Sequence, residues 1–164
     1  MNEVIKANVF NLNKLKKLLN CLSEFDYQNN GILPYKSSIG NHTRHILDFY
    51  ECIIEYDKFI DLTKRNRDCL SNVNIDFALK RLSFIISYLE KLLLNEDLIL
   101  DVYDDLGFGK TKIKYTYTSL LAYVNSHTTH HYASIGYLLH QINPENNFFD
   151  VTFGININTL SKFK

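Results

Sequence analysis

Residues 118–142 read TSLLAYVNSHTTHHYASIGYLLHQI, and within them Leu120, Val124, His127, His131, Ile135 and Leu138 recur at threes and fours. That spacing predicts one long amphipathic helix, beginning at Thr116 or Thr118 and running to about Ile142, with a single inward stripe. His127 and His131 occupy the middle of the stripe, one turn and about 6 Å of rise apart. Burying two neutral imidazoles there strands polar nitrogens unless each finds a partner. A divalent metal satisfies one nitrogen on each ring, and a nearby acceptor can hold the other. The plain alternative is a pair of core histidines hydrogen-bonded to neighbouring helices, or a face that stays exposed.

A second histidine pair lies upstream in SIGNHTRHILDFY, residues 38–50. Ser37 or Ser38 can cap a helix whose stripe is Ile39, His42, Ile46, Phe49 and Ile53, ending near Phe59. His42 falls at the centre of that stripe and His45 about 60° to one side, so both can reach the interior. Periodicity alone favours His42 as a third ligand. Asp48, one turn after His45, either orients a ligand ring or is a solvated surface residue. His130 sits on the flank of its helix, beside the ligands or at the surface, and His140 faces solvent. Three imidazoles leave a coordination position open, the catalytic rather than the structural pattern. A metal so held lowers the pKa of bound water toward ~7. Imidazole ligation admits Zn, Ni, Fe or Cu. Thr128 and Thr129 stand where an HExxH peptidase has its Glu, which disfavours that chemistry. Lys64, Arg65 and Arg67 form either a site for an anionic substrate group or a solvated loop. Most of Tyr115, Tyr117, Tyr123, Tyr132 and Tyr137 are packing or interface residues, though one could serve the metal's open side.

Two further helices complete the pattern. Val9, Leu12, Leu15, Leu19 and Leu22 predict a first helix over about residues 3–26, closed by NNGILP at 29–34. Asn74 caps a third, with Asp76 in its first turn and a stripe of Ile75, Ala78, Leu82, Ile85, Leu89 and Leu92. The polar run DLTKRNRDCLSNVN before it reads as a connection. At roughly 14 residues it is longer than the 2–8 usual in bundles, so it can cross the bundle end. Residues 98–115 carry β-branched and aromatic residues around a Gly-containing turn, which predicts a short β-hairpin before the last helix. The expected class is all-α: a four-helix bundle forming one domain over residues 1–164. The tail after Ile142 is apolar enough to pack on it as irregular chain.

Composition narrows the function classes. The chain is 46% hydrophobic, enough to fill a core, and its 18 basic residues balance 18 acidic ones. No net field favours nucleic acid or an anionic membrane. No stretch approaches the ~20 apolar residues of a membrane span. The N-terminus lacks the apolar core and cleavage site of a signal peptide. Cys21, Cys52 and Cys69 are an odd set without a CxxC pair, which points to reduced thiols in a cytoplasm. Cys52, close to its helix's stripe, is expected to pack.

At the two histidine segments the chain resembles the DinB/YfiT family of candidate metalloenzymes, and the resemblance covers nearly its whole length. It extends to an RxRD-like element, here Arg65-Asn66-Arg67-Asp68, and to an FG-V-type tail, here Phe153-Gly154-Ile155. The resemblance implies a bundle in up-down-down-up order. It also implies zinc or nickel held by one histidine of the second helix and an HxxxH pair of the last. Carried over by position, the ligands are His45, which precedes Ile46-Leu47-Asp48, and the pair His127 and His131. His42 then becomes a group beside the ligands. The implied activity is metal-dependent hydrolysis or thiol S-transfer on a small molecule, in a homodimer. The competing classes are a non-catalytic protein that binds metal for stability, sensing or stress protection, and a dimeric interaction module whose site has lost its metal.

Overall fold

A computed structural model of the chain describes residues 2–34, 36–54, 59–65, 69–93, 98–145, 153–155 and 159. Helix α1 spans Glu3–Leu19, opened by the Asn2 side chain, which accepts from the Val4 N–H. It is shorter than its apolar period suggests. Asn20 Nδ2 donates back to the Lys16 carbonyl, and Ser23 caps a separate short helix, α2, at Glu24–Gln28. Side chains that bond their own backbone compete with a continuing helix, which is why the run to residue 26 breaks at 20–23. Helix α3 spans Ile39–Ile54, with Ser38 Oγ accepting from the Asn41 N–H. The expected end near Phe59 falls beyond residues 55–58, which lie outside the described residues. Helix α4, Ile75–Lys91, is capped by Asn74, and α5, Tyr117–Ile142, by Thr116. Asn74 is the cap the sequence predicts, and Thr116 is one of the two starts it offers for the last helix.

The strands correct the expected class. The hairpin forms as β2, Ile99–Asp105, antiparallel to β3, Lys110–Thr116. Gly107 and Gly109 supply its positive-φ turn, and Asp105 Oδ1 accepts from both of their N–H groups. A two-residue strand, β1 at Ile60–Asp61, adds to the other edge of β2 in parallel, with Ile60 opposite Val102. The chain is therefore helical with a small three-stranded mixed sheet, not all-α. Buried Ile60 and Val102 drive that pairing, which a reading of the segment as a polar connection overlooks.

Helices α1 and α3 each pack on both α4 and α5, which leaves α1 and α3 diagonal to one another. Hydrogen bonds give the directions. Asn8 Nδ2 donates to the Leu121 carbonyl and Asn11 Nδ2 to Asn125 Oδ1, so α1 and α5 advance together. His42 meets His131 and His45 meets His127, so α3 runs against α5. Asn41 meets Asn72 just before α4, and Asp48 meets Arg81 within it, so α3 and α4 share a sense. The core between them includes Leu12, Leu15, Ile46, Leu82, Ile85, Leu120, Val124 and Ile135.

The rotation of α3 and α5 matters most for function. Thr128 and Tyr132 lie in the buried stripe of α5, and Thr43 and Tyr50 in that of α3. His127 and His131 are half-buried on the flank of α5 rather than at its stripe's centre, and His42 and His45 are half-buried on α3. The polar groups that go inside are mostly satisfied there. Thr128 Oγ1 donates to the Val124 carbonyl, Tyr132 to the Asn11 carbonyl and Tyr50 to Asn8 Oδ1. The four histidines consequently meet in the seam between α3 and α5, within reach of solvent.

Candidate metal centre

Three ring nitrogens converge in that seam. His45 Nε2 lies 2.9 Å from His127 Nε2, and His131 Nε2 lies 3.1 Å from the same atom. One nitrogen from each of His45, His127 and His131 falls within 4.8 Å of the others. The i,i+4 spacing on α5 places two rings in line, and α3 brings the third from across the seam. A tetrahedral ion with bonds of about 2.0–2.1 Å sets its ligand nitrogens roughly 3.3–3.4 Å apart. Small outward shifts of the rings reach that spacing, so the donor set fits a divalent transition metal. Without a cation, His127 Nε2 has one proton or one lone pair to share between two neighbouring nitrogens.

The rings hold themselves neutral. Burial pushes the His131 imidazolium down to about 2, helped by the neighbouring His45, His127 and His42. Burial likewise pushes His45 down to about 3, with Arg65 next in importance, then His127, His42 and Arg44. His42 and His127 are lowered too, first by burial and then by His130. Neutral imidazoles present lone pairs to a cation without proton competition at neutral pH.

His42 stands behind the triad. Its Nδ1 lies 2.9 Å from Nδ1 of His131. When His131 donates that proton, its Nε2 is left with a free lone pair toward the other two rings. His42 also lines a cavity of about 400 Å³ together with Pro34, Ser37, His130, Tyr137 and Leu138. His130 is exposed, its ring 5.3 Å from that of His131, and His140 is exposed as expected. Asp48 is not the solvated surface residue that one reading of its position suggests. It is buried and ion-paired to Arg81 at 2.8 Å, with Glu51 on the same guanidinium. The pair ties α3 to α4.

The walls of the centre come from one stripe residue of α3 and from segments distant in sequence. Phe49, one turn after His45, sets its ring 4.4 Å from that of His127 and 4.9 Å from that of His45. Arg65 reaches in from the segment after β1, its Nη1 3.4 Å from His45 Nδ1 and its guanidinium 5.0 Å over the Phe49 ring. Of the basic cluster, Lys64 is exposed, while Asn66, Arg67 and Asp68 lie outside the described residues. Tyr123, one turn before His127, donates to Asp104 of β2 at 3.3 Å. Burial and the Asp104 charge push its phenol up to about 12, so it keeps its proton at neutral pH. The sequence offers Phe49 as a stripe residue of its helix, Arg65 as one of three basic candidates for an anionic group and Tyr123 as one of five tyrosines. Asp104 and Arg65 belong to segments whose placement is tertiary. Thr128 and Thr129 donate to the Val124 and Asn125 carbonyls, so neither hydroxyl proton is directed at the histidines.

None of the three cysteines is in a disulfide, Cys21 and Cys69 being exposed and Cys52 half-buried. No helix among them is long and apolar enough to cross a membrane. No family model matches the chain, and no curated protein or solved structure matches it either.

Proposed function

We propose that the chain is a metal-dependent enzyme of DinB/YfiT type that acts on a small molecule, with His45, His127 and His131 holding zinc or nickel. One observation carries this: three neutral imidazole nitrogens from two helices share one point, and a cation is the partner that satisfies all three lone pairs. Among the described residues no fourth His, Cys, Asp or Glu joins the group, in keeping with an open coordination position. A divalent cation there supplies Lewis acidity, which lowers the pKa of a water or thiol and polarises an electrophile. His42 holds the His131 ring in the ligating tautomer and presents its own edge to the adjoining cavity. Phe49 closes one side of the centre against water. No carboxylate base stands beside the ligands on α5, which favours hydrolysis or thiol transfer driven by the metal over peptidase chemistry.

The helix directions agree with the up-down-down-up order that this resemblance implies, and the homodimer and cytoplasmic setting it suggests belong to the same proposal. Metal analysis of protein purified without a histidine tag tests it. We expect about one equivalent per chain after supply of zinc or nickel, and under ~0.2 equivalents refutes the reading.

A further inference from the structure

We propose that Arg65 is the recognition group for a carboxylate on the small molecule served by the histidine centre; this rests on the metal-centre reading above. Three features of its placement support it. Arg65 is half-buried against the centre, over the Phe49 ring and beside His45 of the triad, rather than extended into solvent. Among the described residues no carboxylate lies within ion-pair distance of its guanidinium. Its hydrogen bond to His45 Nδ1 is long, at 3.4 Å, and engages one of five N–H donors.

Charge balance points the same way. Three neutral imidazoles leave the full charge of a divalent cation uncompensated, and Arg65 and Arg44 both add positive potential at His45. Asp104 is the acid felt at His127, and it is engaged by Tyr123. Among the described residues no further acid balances this field, and an anionic ligand would do so.

Tautomer chemistry also frees Arg65 when the centre is loaded. An arginine can only donate, so its bond to His45 requires an unprotonated Nδ1, which places the ring proton on Nε2. Ligation through Nε2 requires the reverse, with the proton on Nδ1. A donor then faces a donor, the 3.4 Å contact is lost, and the planar fork is released to take a carboxylate by two parallel hydrogen bonds.

The test compares 3-mercaptopropionate with its neutral isostere 3-mercaptopropionamide on the cobalt-loaded protein, read by the visible and near-ultraviolet spectrum of the cobalt centre. Cobalt stoichiometry is measured first. We expect the acid to bind roughly tenfold or more tighter than the amide, the worth of one charge-assisted hydrogen-bonded pair. Arg65→Gln should bring that ratio close to one with cobalt content unchanged. Arg65→Lys, which keeps the charge and loses the fork, should retain an intermediate ratio. A preference that persists in Arg65→Gln reflects chelation by the acid itself and overturns the proposal, as does the absence of any preference in the parent protein. Failure to take up cobalt would instead sink the metal centre, and this assignment with it.

Discussion

Removing His45 and removing His42 should have consequences that differ in size and in kind. Structural zinc sites with four ligands bind with apparent free energies of about 10–16 kcal/mol, or roughly 2.5–4 kcal/mol per ligand. His45 contributes Nε2 directly to the cluster, so His45→Ala should weaken zinc binding by about 10²–10³-fold. His42 touches the cluster through Nδ1 of His131, and removal of such an orienting partner costs about 10–100-fold. The distinctive expectation concerns the double variants. In a His131→Ala background the group that His42 orients is gone, so His42→Ala should add almost nothing. In a His45→Ala background His131 remains, and His42→Ala should still cost its own 10–100-fold. A coupling of about 1–3 kcal/mol between His42 and His131, absent between His42 and His45, is therefore expected. Competition with a chromophoric zinc chelator measures each affinity, with circular dichroism melting to verify that every variant folds. Equal losses from His42→Ala and His45→Ala, or additive losses from His42→Ala and His131→Ala, would refute the arrangement.

Two further expectations follow from the same geometry. In metal-free protein, His45 and His131 titrate at about 3 and about 2 when folded, below the ~6.5 of an unfolded histidine. The unfolded state therefore binds more protons below pH 6.5, and stability is full above that pH and falls as pH drops toward the folded values. Each ring would set a slope of about 1.4 kcal/mol per pH unit, and partial exposure reduces the two together to about 1–1.5. Urea unfolding at pH 7 and 5.5 should show this loss, and His45→Gln should flatten it; an unchanged profile in that variant contradicts the neutral-ring picture. Arg81→Ala should destabilise the fold by about 3–5 kcal/mol, because it leaves Asp48 and Glu51 without their guanidinium in a nearly closed α3–α4 contact. A cost below about 1 kcal/mol would mean that the pair is solvent-screened and only decorates the surface.

The helices α4 and α5, the Asn74 cap and the glycine turn between β2 and β3 were all legible in the chain, because each depends on residues within a few positions. So was the gathering of imidazoles on two helices, since an i,i+4 pair needs only the helical pitch to align. What was not legible was helix phase. The pattern of α5 reads with equal ease as an apolar stripe through His127 and His131 or as one through Thr128 and Tyr132. The second is the one buried. Partners that are distant in sequence make the difference: Tyr132 finds the Asn11 carbonyl and Tyr50 finds Asn8, so those polar groups can go inside.

Periodicity and capping thus set where helices lie along this chain, and residue chemistry set that a metal-ligating cluster is available. Tertiary packing alone decided which flank of each helix faces the seam. It put His45 in the triad and His42 behind it, sent Asp48 to Arg81, and carried Arg65 to the Phe49 ring. The physical reason is range: local hydrogen bonds are satisfied within a turn, whereas a buried polar group or an unpaired charge is settled by whatever the rest of the fold brings to it.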